Sequence, residues 1–238
     1  MTTIMRALRL DLQRTFSQSR WLVLALMLLG CPAIVLVAGL LGMGEGDHLG
    51  DGASGAMLGF YTVFSVYAFI YEDKYRGLWM NGIIPVSRAR QVVARYLMLL
   101  VLASILVASL AVSWFVKWCF GPITFAACVF DIGGQLFSML LVASIMYPLV
   151  YRFPPQVAVM VMAAVIVVLG VLGFAVVFGA AAVLPESATA AIGTWAVGLV
   201  SMMSTNPVGF VGIMLTVAAA ALVVSACVSV HIYRAKEC

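Results

Sequence analysis

The chain has 238 residues, of which 65% are hydrophobic and only 9% are charged, and its formal net charge is +4. Soluble domains carry about 25% charged residues, so this composition excludes an ordinary soluble fold and indicates an integral membrane protein. Binding to nucleic acid is not expected either, because the basic residues are distributed among short loops and do not form one basic domain.

The chain begins with a basic segment at residues 1–20. At 100° per residue, its apolar side chains fall on one helical face and its basic side chains fall largely opposite, which is typical of a helix lying along the membrane surface. The apolar run that follows is full length and has no small-x-small cleavage site, so we expect the segment to be retained and not removed as a signal peptide. The apolar face comprises Ile4, Met5, Leu8, Leu12 and Phe16.

Six apolar runs follow, each close to or above the 20 or so residues that a membrane-spanning helix needs. They lie at 21–41, 53–71, 92–114, 124–150, 156–180 and 208–231. We therefore predict an all-α fold of six spans in one membrane domain covering residues 1–238. With six crossings, every Lys and Arg except Lys117 lies on one side of the membrane, and the positive-inside rule makes that side the cytoplasm, with both termini there.

The segment between the last two runs is apolar but too short for two further spans. Residues 181–207 are therefore predicted to form a re-entrant or interfacial hairpin on the outer side, which requires that protein covers its irregular backbone. The alternative is an ordinary apolar loop.

Aromatic and cysteine residues fit a membrane-embedded chain without a further role. Trp114 and Trp118 are predicted to belong to an aromatic belt at the outer interface. Cys119 and Cys128 lie near the same surface and can form a disulfide only if their Cβ geometry allows it, so small buried hydrophobes are the favoured interpretation. The cysteines have neither C-x-x-C spacing nor a histidine partner, so no metal site is expected.

The motifs of enzymatic catalysis are missing from the sequence. There is no G-x-x-x-x-G-K-[ST] phosphate loop and no H-E-x-x-H motif. His48 and His231 fall on opposite sides of the membrane, so neither can serve as base to a buried serine. We therefore expect no catalytic residue in this chain.

Asp131 is the one acidic residue predicted to lie well inside an apolar run. A charge at the centre of the membrane costs about 2.5–3.5 kcal/mol on insertion scales, which makes Asp131 a candidate for lining a polar pathway or pairing with a partner. The alternative is a position near enough to the outer interface to reach water or to cap a helix.

The most highly charged stretch, YEDKYRGLWMNGIIPVSRARQVVARY at 71–96, lies between the second and third apolar runs. Apolar residues around Trp79 alternate with charged ones, and Gly82 and Pro85 end this amphipathic piece before the next helix. Such a segment either rests on anionic lipid or docks into a groove of a partner. Alternatively, its basic residues only set the topology.

This stretch resembles the loop after the second span of type-2 ABC exporter permeases (the ABC-2 type). The resemblance lies in an acidic residue followed by Gly-Leu and then by Pro-x-Ser-Arg. YPLVYRF at 147–153 is similar to the end of the fourth span in the same bacterial group. The resemblance extends over nearly the whole chain. It implies a subunit of the bacterial cytoplasmic membrane, closest to permeases that export amphipathic or antimicrobial peptides or give immunity to them.

In that family the loop forms a coupling helix that fits a cleft on a separately encoded ATPase, which binds ATP and Mg. The resemblance places the coupling segment at 72–90 and implies that a second copy or a paralogue completes the pore. The residues that it assigns to ATPase coupling are Glu72, Asp73, Tyr75, Arg76, Gly77, Leu78, Trp79, Pro85, Ser87 and Arg88.

Two other classes of function stay open. A carrier or channel without an ATPase needs functional charges inside the membrane, and Asp131 is the main candidate. A scaffold that transports nothing would tolerate charge reversal in the 71–90 loop.

Overall fold

The computed structural model describes residues 20–42, 51–74, 88–154, 156–165 and 205–235, together with positions 5, 8, 12, 167, 168, 171, 172, 194, 197, 198, 201 and 203. All regular secondary structure in these residues is α-helical. A helix satisfies its backbone hydrogen bonds internally, which an apolar chain surrounded by lipid requires.

Six helical stretches make up the described fold. They are α1 (Arg20–Leu40), α2 (Asp51–Lys74), α3 (Arg88–Phe120), α4 (Phe125–Arg152), α5 (Gln156–Val165) and α6 (Pro207–Ala235). Within the described residues, four segments are long and apolar enough to cross a membrane by length and composition: Leu22–Leu40, Ala89–Phe120, Phe125–Arg152 and Pro207–Tyr233. Two shorter apolar stretches, Ser54–Val66 and Gln156–Val165, accompany them.

The helices pack mainly as two pairs. The most extensive contact joins α4 to α6, the next joins α1 to α3, and α2 packs against α4, α1 and α3. The positions of the helix termini distinguish two ends of this bundle. At the basic end α2 stops at Lys74, α3 starts at Arg88 and α4 stops at Arg152, whereas at the opposite end α3 stops at Phe120 and α4 starts at Phe125.

Glycine allows close helix contact at the opposite end. A Cβ atom on Gly133 of α4 would collide with the Val211 side chain of α6, and one on Gly39 of α1 would lie 2.7 Å from the Phe120 ring of α3. A side chain at either glycine would therefore require the facing side chain to shift.

The structure extends the third predicted span. The prediction ended it at residue 114, but α3 continues to Phe120 and has 33 residues, a length of about 50 Å. Lys117 is therefore part of the helix and not of a loop. Its charged side chain is buried in the protein.

Other predicted features are described only in part. Leu8 and Leu12 of the 1–20 segment are helical and pack against the core, while Met5 is exposed. The fifth predicted span is described at 156–165 and at four later positions. The predicted 181–207 hairpin lies outside the described residues except at 194, 197, 198, 201, 203 and 205–207.

Candidate functional site

The predicted coupling segment lies mostly outside the described residues. This holds for Tyr75, Arg76, Gly77, Leu78, Trp79, Pro85 and Ser87. Glu72 and Asp73 belong to the last turn of α2, and Arg88 is the first residue of α3. The structure thus describes the two helices that enter and leave the segment.

A buried arginine lies just beyond the segment on α3. Arg95 is only 8% exposed, and its guanidinium carbon lies 4.2 Å from the ring centre of Phe69 on α2 and 5.7 Å from that of Tyr151 on α4. A cation over an aromatic face is stabilised by about 2 kcal/mol or more when water is excluded. Arg95 therefore contacts one ring from each of the two helices that face it.

Further aromatic rings pack against these two and form a larger cluster. The Phe69 ring lies 5.2 Å from Tyr147 and 5.1 Å from Tyr151, both at steep angles, and the Tyr147 ring lies 5.0 Å from Tyr96. Such edge-on pairs add about 0.5–1.5 kcal/mol each beyond the area that they bury. The Tyr147 hydroxyl also donates a hydrogen bond to the Ser65 carbonyl oxygen of α2 at 3.2 Å.

Hydroxyl groups extend the cluster to α6. The Tyr96 hydroxyl lies 2.6 Å from Ser225 Oγ and 3.0 Å from Ser229 Oγ, and both serines are buried. We call this set the Arg95 cluster, and it contains Phe69, Arg95, Tyr96, Tyr147, Tyr151, Ser225 and Ser229. It joins α2, α3, α4 and α6 at the basic end of the bundle.

A second contact joins α3 to α6 beside the cluster. The Tyr233 hydroxyl of α6 donates to Gln91 Oε1 of α3 at 3.3 Å, and the Tyr233 ring lies 5.2 Å from Tyr151. Next to it, Val93, Ala226, Cys227, Val230 and His231 line an open, mostly apolar groove between α3 and α6.

A different polar group lies at the opposite end. The Trp114 indole N–H on α3 donates to Asp131 Oδ2 on α4 at 2.9 Å, and Lys117 Nζ lies 4.3 Å from the Trp114 ring centre. Lys117 is 2% exposed and Trp114 is 4% exposed. We call Trp114, Lys117 and Asp131 the Trp114 triad, in which one indole contacts a cation with its face and a carboxylate with its edge.

The triad corrects two expectations from the sequence. Trp114 does not face lipid as part of an aromatic belt, because its ring is buried between charged side chains of α3 and α4. Lys117 is not an outer-loop residue, because Trp114 holds it inside the bundle. Trp118, by contrast, is 62% exposed.

Asp131 lies near the start of α4, inside the helix as predicted. Besides Trp114, it accepts a hydrogen bond from Gln135 Nε2 at 3.5 Å. Of the roles that the sequence left open, pairing with a partner is the one visible in these contacts.

Sequence reasoning missed Arg95, Lys117 and the serines on α6. Arg95 was counted only as a residue that sets topology, although its position inside the hydrophobic part of a span was a usable signal. Lys117 is spaced i, i+3 from Trp114, which places the two on one helical face. The spacing of Ser225 and Ser229 indicates a shared face too, but not which helix they contact.

Within the described residues, no three His, Cys, Asp or Glu side chains are grouped in a way that could hold a metal ion. Cys119 and Cys128 are both free thiols, one exposed and the other half-buried.

Long apolar helices with buried, paired charges define a helical membrane protein. The chain belongs to the ABC-2 family: residues 16–234 match the model described as "ABC-2 family transporter protein". A search of curated proteins and a search of solved structures each found no match. The family supplies the membrane permease component of ABC transporters, is generally not catalytic and typically works with ABC ATPase subunits.

Proposed function

We propose that this chain is a permease subunit of an ATP-driven exporter and that its 72–90 segment binds a separate cytoplasmic ATPase. The observation that carries this proposal is the family match, because it spans residues 16–234 and so includes the whole segment. A permease without a nucleotide site needs a mechanical connection to the protein that hydrolyses ATP, and a segment between two spans is placed to provide one.

The ends of α2 and α3 support this role for the segment. Both helices reach the basic end and contact each other there through Arg95 and Phe69. A segment anchored at both ends transmits a displacement to the helices instead of absorbing it.

The membrane arrangement that accompanies the proposal has six spans with both termini in the bacterial cytoplasm. The second span corresponds to α2 and the fifth begins with α5. The 181–207 region forms the outer hairpin. A second copy or a paralogue completes the transport pathway, as closed symmetry favours in oligomers.

The cargo that fits this arrangement is an amphipathic peptide or a hydrophobic small molecule. The apolar surface of such a cargo suits a pathway that is bounded by apolar helices and open toward lipid. The described contacts of Asp131 to Trp114 and Gln135 argue for a structural role, so transport driven by Asp131 alone is not favoured.

The test is a pull-down of the tagged chain from its native membrane in mild detergent, with mass spectrometry of the proteins that co-purify. We expect an ABC ATPase in stoichiometric amount with the wild-type chain. The variant Glu72→Lys, Asp73→Lys, Arg88→Glu should lose it, since reversed charges oppose the ATPase cleft. Arg152→Glu is the control, because Arg152 is exposed at the same end but lies outside the segment.

Recovery of the ATPase with wild type and control, and its loss with the triple variant, supports the proposal. Absence of an ATPase from the wild-type sample in several detergents overturns the permease function. Retention by the triple variant overturns the role of the segment.

A further inference from the structure

We propose that Arg95 is a positioning residue that passes movement of the 72–90 segment to α4 and α6, and that these helices shift at the basic end while the opposite end stays fixed. The proposal rests on the function above. It names the residues inside the membrane that would transmit a displacement driven by ATP hydrolysis from α2 and α3 to the other helices.

The first argument is proximity to the segment. Phe69 lies five residues before the end of α2 at Lys74, and Arg95 lies seven residues after the start of α3 at Arg88. At 1.5 Å per residue these distances are about 8 and about 11 Å along the helix axes. A displacement imposed on the segment therefore reaches Phe69 and Arg95 within two or so helical turns.

The second argument is the distribution of contacts. Phe69 and Arg95 come from the two helices that flank the segment, and both contact Tyr151 of α4. The α4 helix in turn makes its most extensive contact with α6. The Arg95 guanidinium and the rings of Phe69 and Tyr151 thus form a continuous connection from the segment to the second helix pair.

The third argument is that the contact of α3 with α6 allows a shift. Ser225 and Ser229 are one helical turn apart on α6, and the Tyr96 hydroxyl lies within hydrogen-bond distance of both. When the basic end of α6 tilts so that one of these serines moves away, the hydroxyl keeps the other as its partner. A buried hydrogen bond is therefore preserved during movement, and the cost of leaving a polar group unsatisfied in the membrane is avoided.

The fourth argument is the contrast with the opposite end. There the Val211 side chain of α6 lies closer to Gly133 of α4 than a Cβ atom on the glycine would allow, and the Trp114 triad joins α3 to α4. Such close packing leaves little room for displacement at this end. At the basic end, α4 also contains Pro148 between Tyr147 and Tyr151, and a proline inside a helix removes one backbone hydrogen bond and makes bending easier.

The experiment uses the complex of the full chain with its ATPase in lipid vesicles, trapped with ATP and vanadate. Val93→Cys and the native Cys227 line the two sides of the groove between α3 and α6, so disulfide formation between them reports the separation of these helices. Cys31, Cys119, Cys128 and Cys238 are replaced by serine or alanine. With Arg95 intact, we expect trapping to change the cross-linking yield by about threefold or more, as a modest shift in population would.

Three variants are compared in this background. In Arg95→Gln the yield should no longer respond to trapping, although the ATPase still binds and hydrolyses ATP. Arg95→Lys keeps a cation over the Phe69 ring and should restore at least part of the response. Arg152→Gln removes an exposed arginine from the same end and should respond like the parent.

A normal response in Arg95→Gln overturns the proposal, and so does a loss of response in Arg152→Gln that equals the loss in Arg95→Gln. If the Arg95→Gln protein does not accumulate, Tyr96→Phe takes its place. This variant lacks only the Tyr96 hydroxyl, and we expect it to weaken the response to trapping. An unchanged response in Tyr96→Phe overturns the proposal as well. Failure of the parent chain to bind an ATPase would instead refute the underlying function, so the two failures are distinguishable.

Discussion

At the basic end Arg95 lies over Phe69 and Tyr151, whereas at the opposite end Lys117 lies over Trp114, whose indole N–H is bound to Asp131. The two cation to ring distances are nearly equal, at 4.2 and 4.3 Å. The contacts around them differ. Long aromatic side chains and hydroxyls from four helices surround Arg95, while Lys117 belongs to a compact group on α3 and α4 beside glycine contacts.

This difference indicates how one bundle can have a deformable basic end and a rigid opposite end. Aromatic rings and hydroxyls joined through long side chains can rearrange by small rotations, so the basic end tolerates displacement. A tryptophan that bonds to a carboxylate and supports a cation has one good geometry, so the opposite end does not.

The largest expected effect comes from Trp114→Ala. This change removes the ring under Lys117 and the donor to Asp131 together, and it leaves a cavity, so we expect a loss of about 3–5 kcal/mol in the free energy of unfolding. Titration with a denaturing detergent in micelles measures it. Trp114→Phe keeps a ring and removes only the N–H, so it should cost markedly less. Equal losses in both variants would show that the ring is unimportant.

The glycine pair on α4 gives the next largest effect. In Gly133→Ala the new Cβ meets the stiff side chain of Val211, and we expect a loss of about 1–3 kcal/mol in the free energy of unfolding. Gly134→Ala is the matched control, because nothing lies within 4 Å of its Cβ and alanine favours the helix by up to about 1 kcal/mol. Opposite signs are therefore expected in the same assay, and the same sign in both would contradict a close contact of α4 with α6.

A double-mutant cycle tests whether the two charges of the Trp114 triad depend on each other. Lys117→Met and Asp131→Asn should each destabilise the fold, and the double variant should lose less than the sum, with a coupling free energy of about 1 kcal/mol. The physical reason is that a carboxylate bound to the indole N–H makes the ring a better partner for a cation. Additive losses would mean that the two contacts are independent.

A small loss of stability, about 1 kcal/mol, is expected at the basic end for Tyr96→Phe. Removal of the hydroxyl costs the hydrogen bonds to Ser225 and Ser229, each worth about 0.6 kcal/mol inside a membrane. Thermal unfolding in detergent should show a small decrease in the transition midpoint. Ser104→Ala is the control, because Ser104 is exposed and bonds only to the Leu100 carbonyl of its own helix among its described contacts. A decrease as large as that of Trp114→Ala would contradict a deformable basic end.

Much of the fold follows from the sequence because apolar length and composition determine where helices can cross a membrane. The limits of α1, α4 and α6 agree with the predicted runs to within a few residues. The third predicted run ended at 114, whereas α3 continues to Phe120 and contains Lys117, whose side chain is buried beside a tryptophan one turn away.

The side-chain clusters were not predictable from the sequence for a different reason. Arg95, Phe69, Tyr151 and Ser225 are brought together from four helices, and helix periodicity gives the face of a residue but not the neighbouring helix. Asp131 stood out because a lone acid in an apolar run is costly, but its partner Trp114 was assigned to the lipid interface. The functional role of the 72–90 segment came from its resemblance to ABC-2 permeases and stays a prediction.

The most direct test of the central claim compares the two ends of the bundle, with Arg95 intact, in the ATPase complex with and without vanadate trapping. Val93→Cys with Cys227 reports on the basic end, and Phe130→Cys with Phe210→Cys reports on the opposite end, where these two rings are 6.0 Å apart. We predict that trapping changes the cross-linking yield of the first pair by about threefold or more and leaves that of the second pair unchanged. An equal change in both pairs, or no change in the first while the ATPase hydrolyses ATP, would contradict the account.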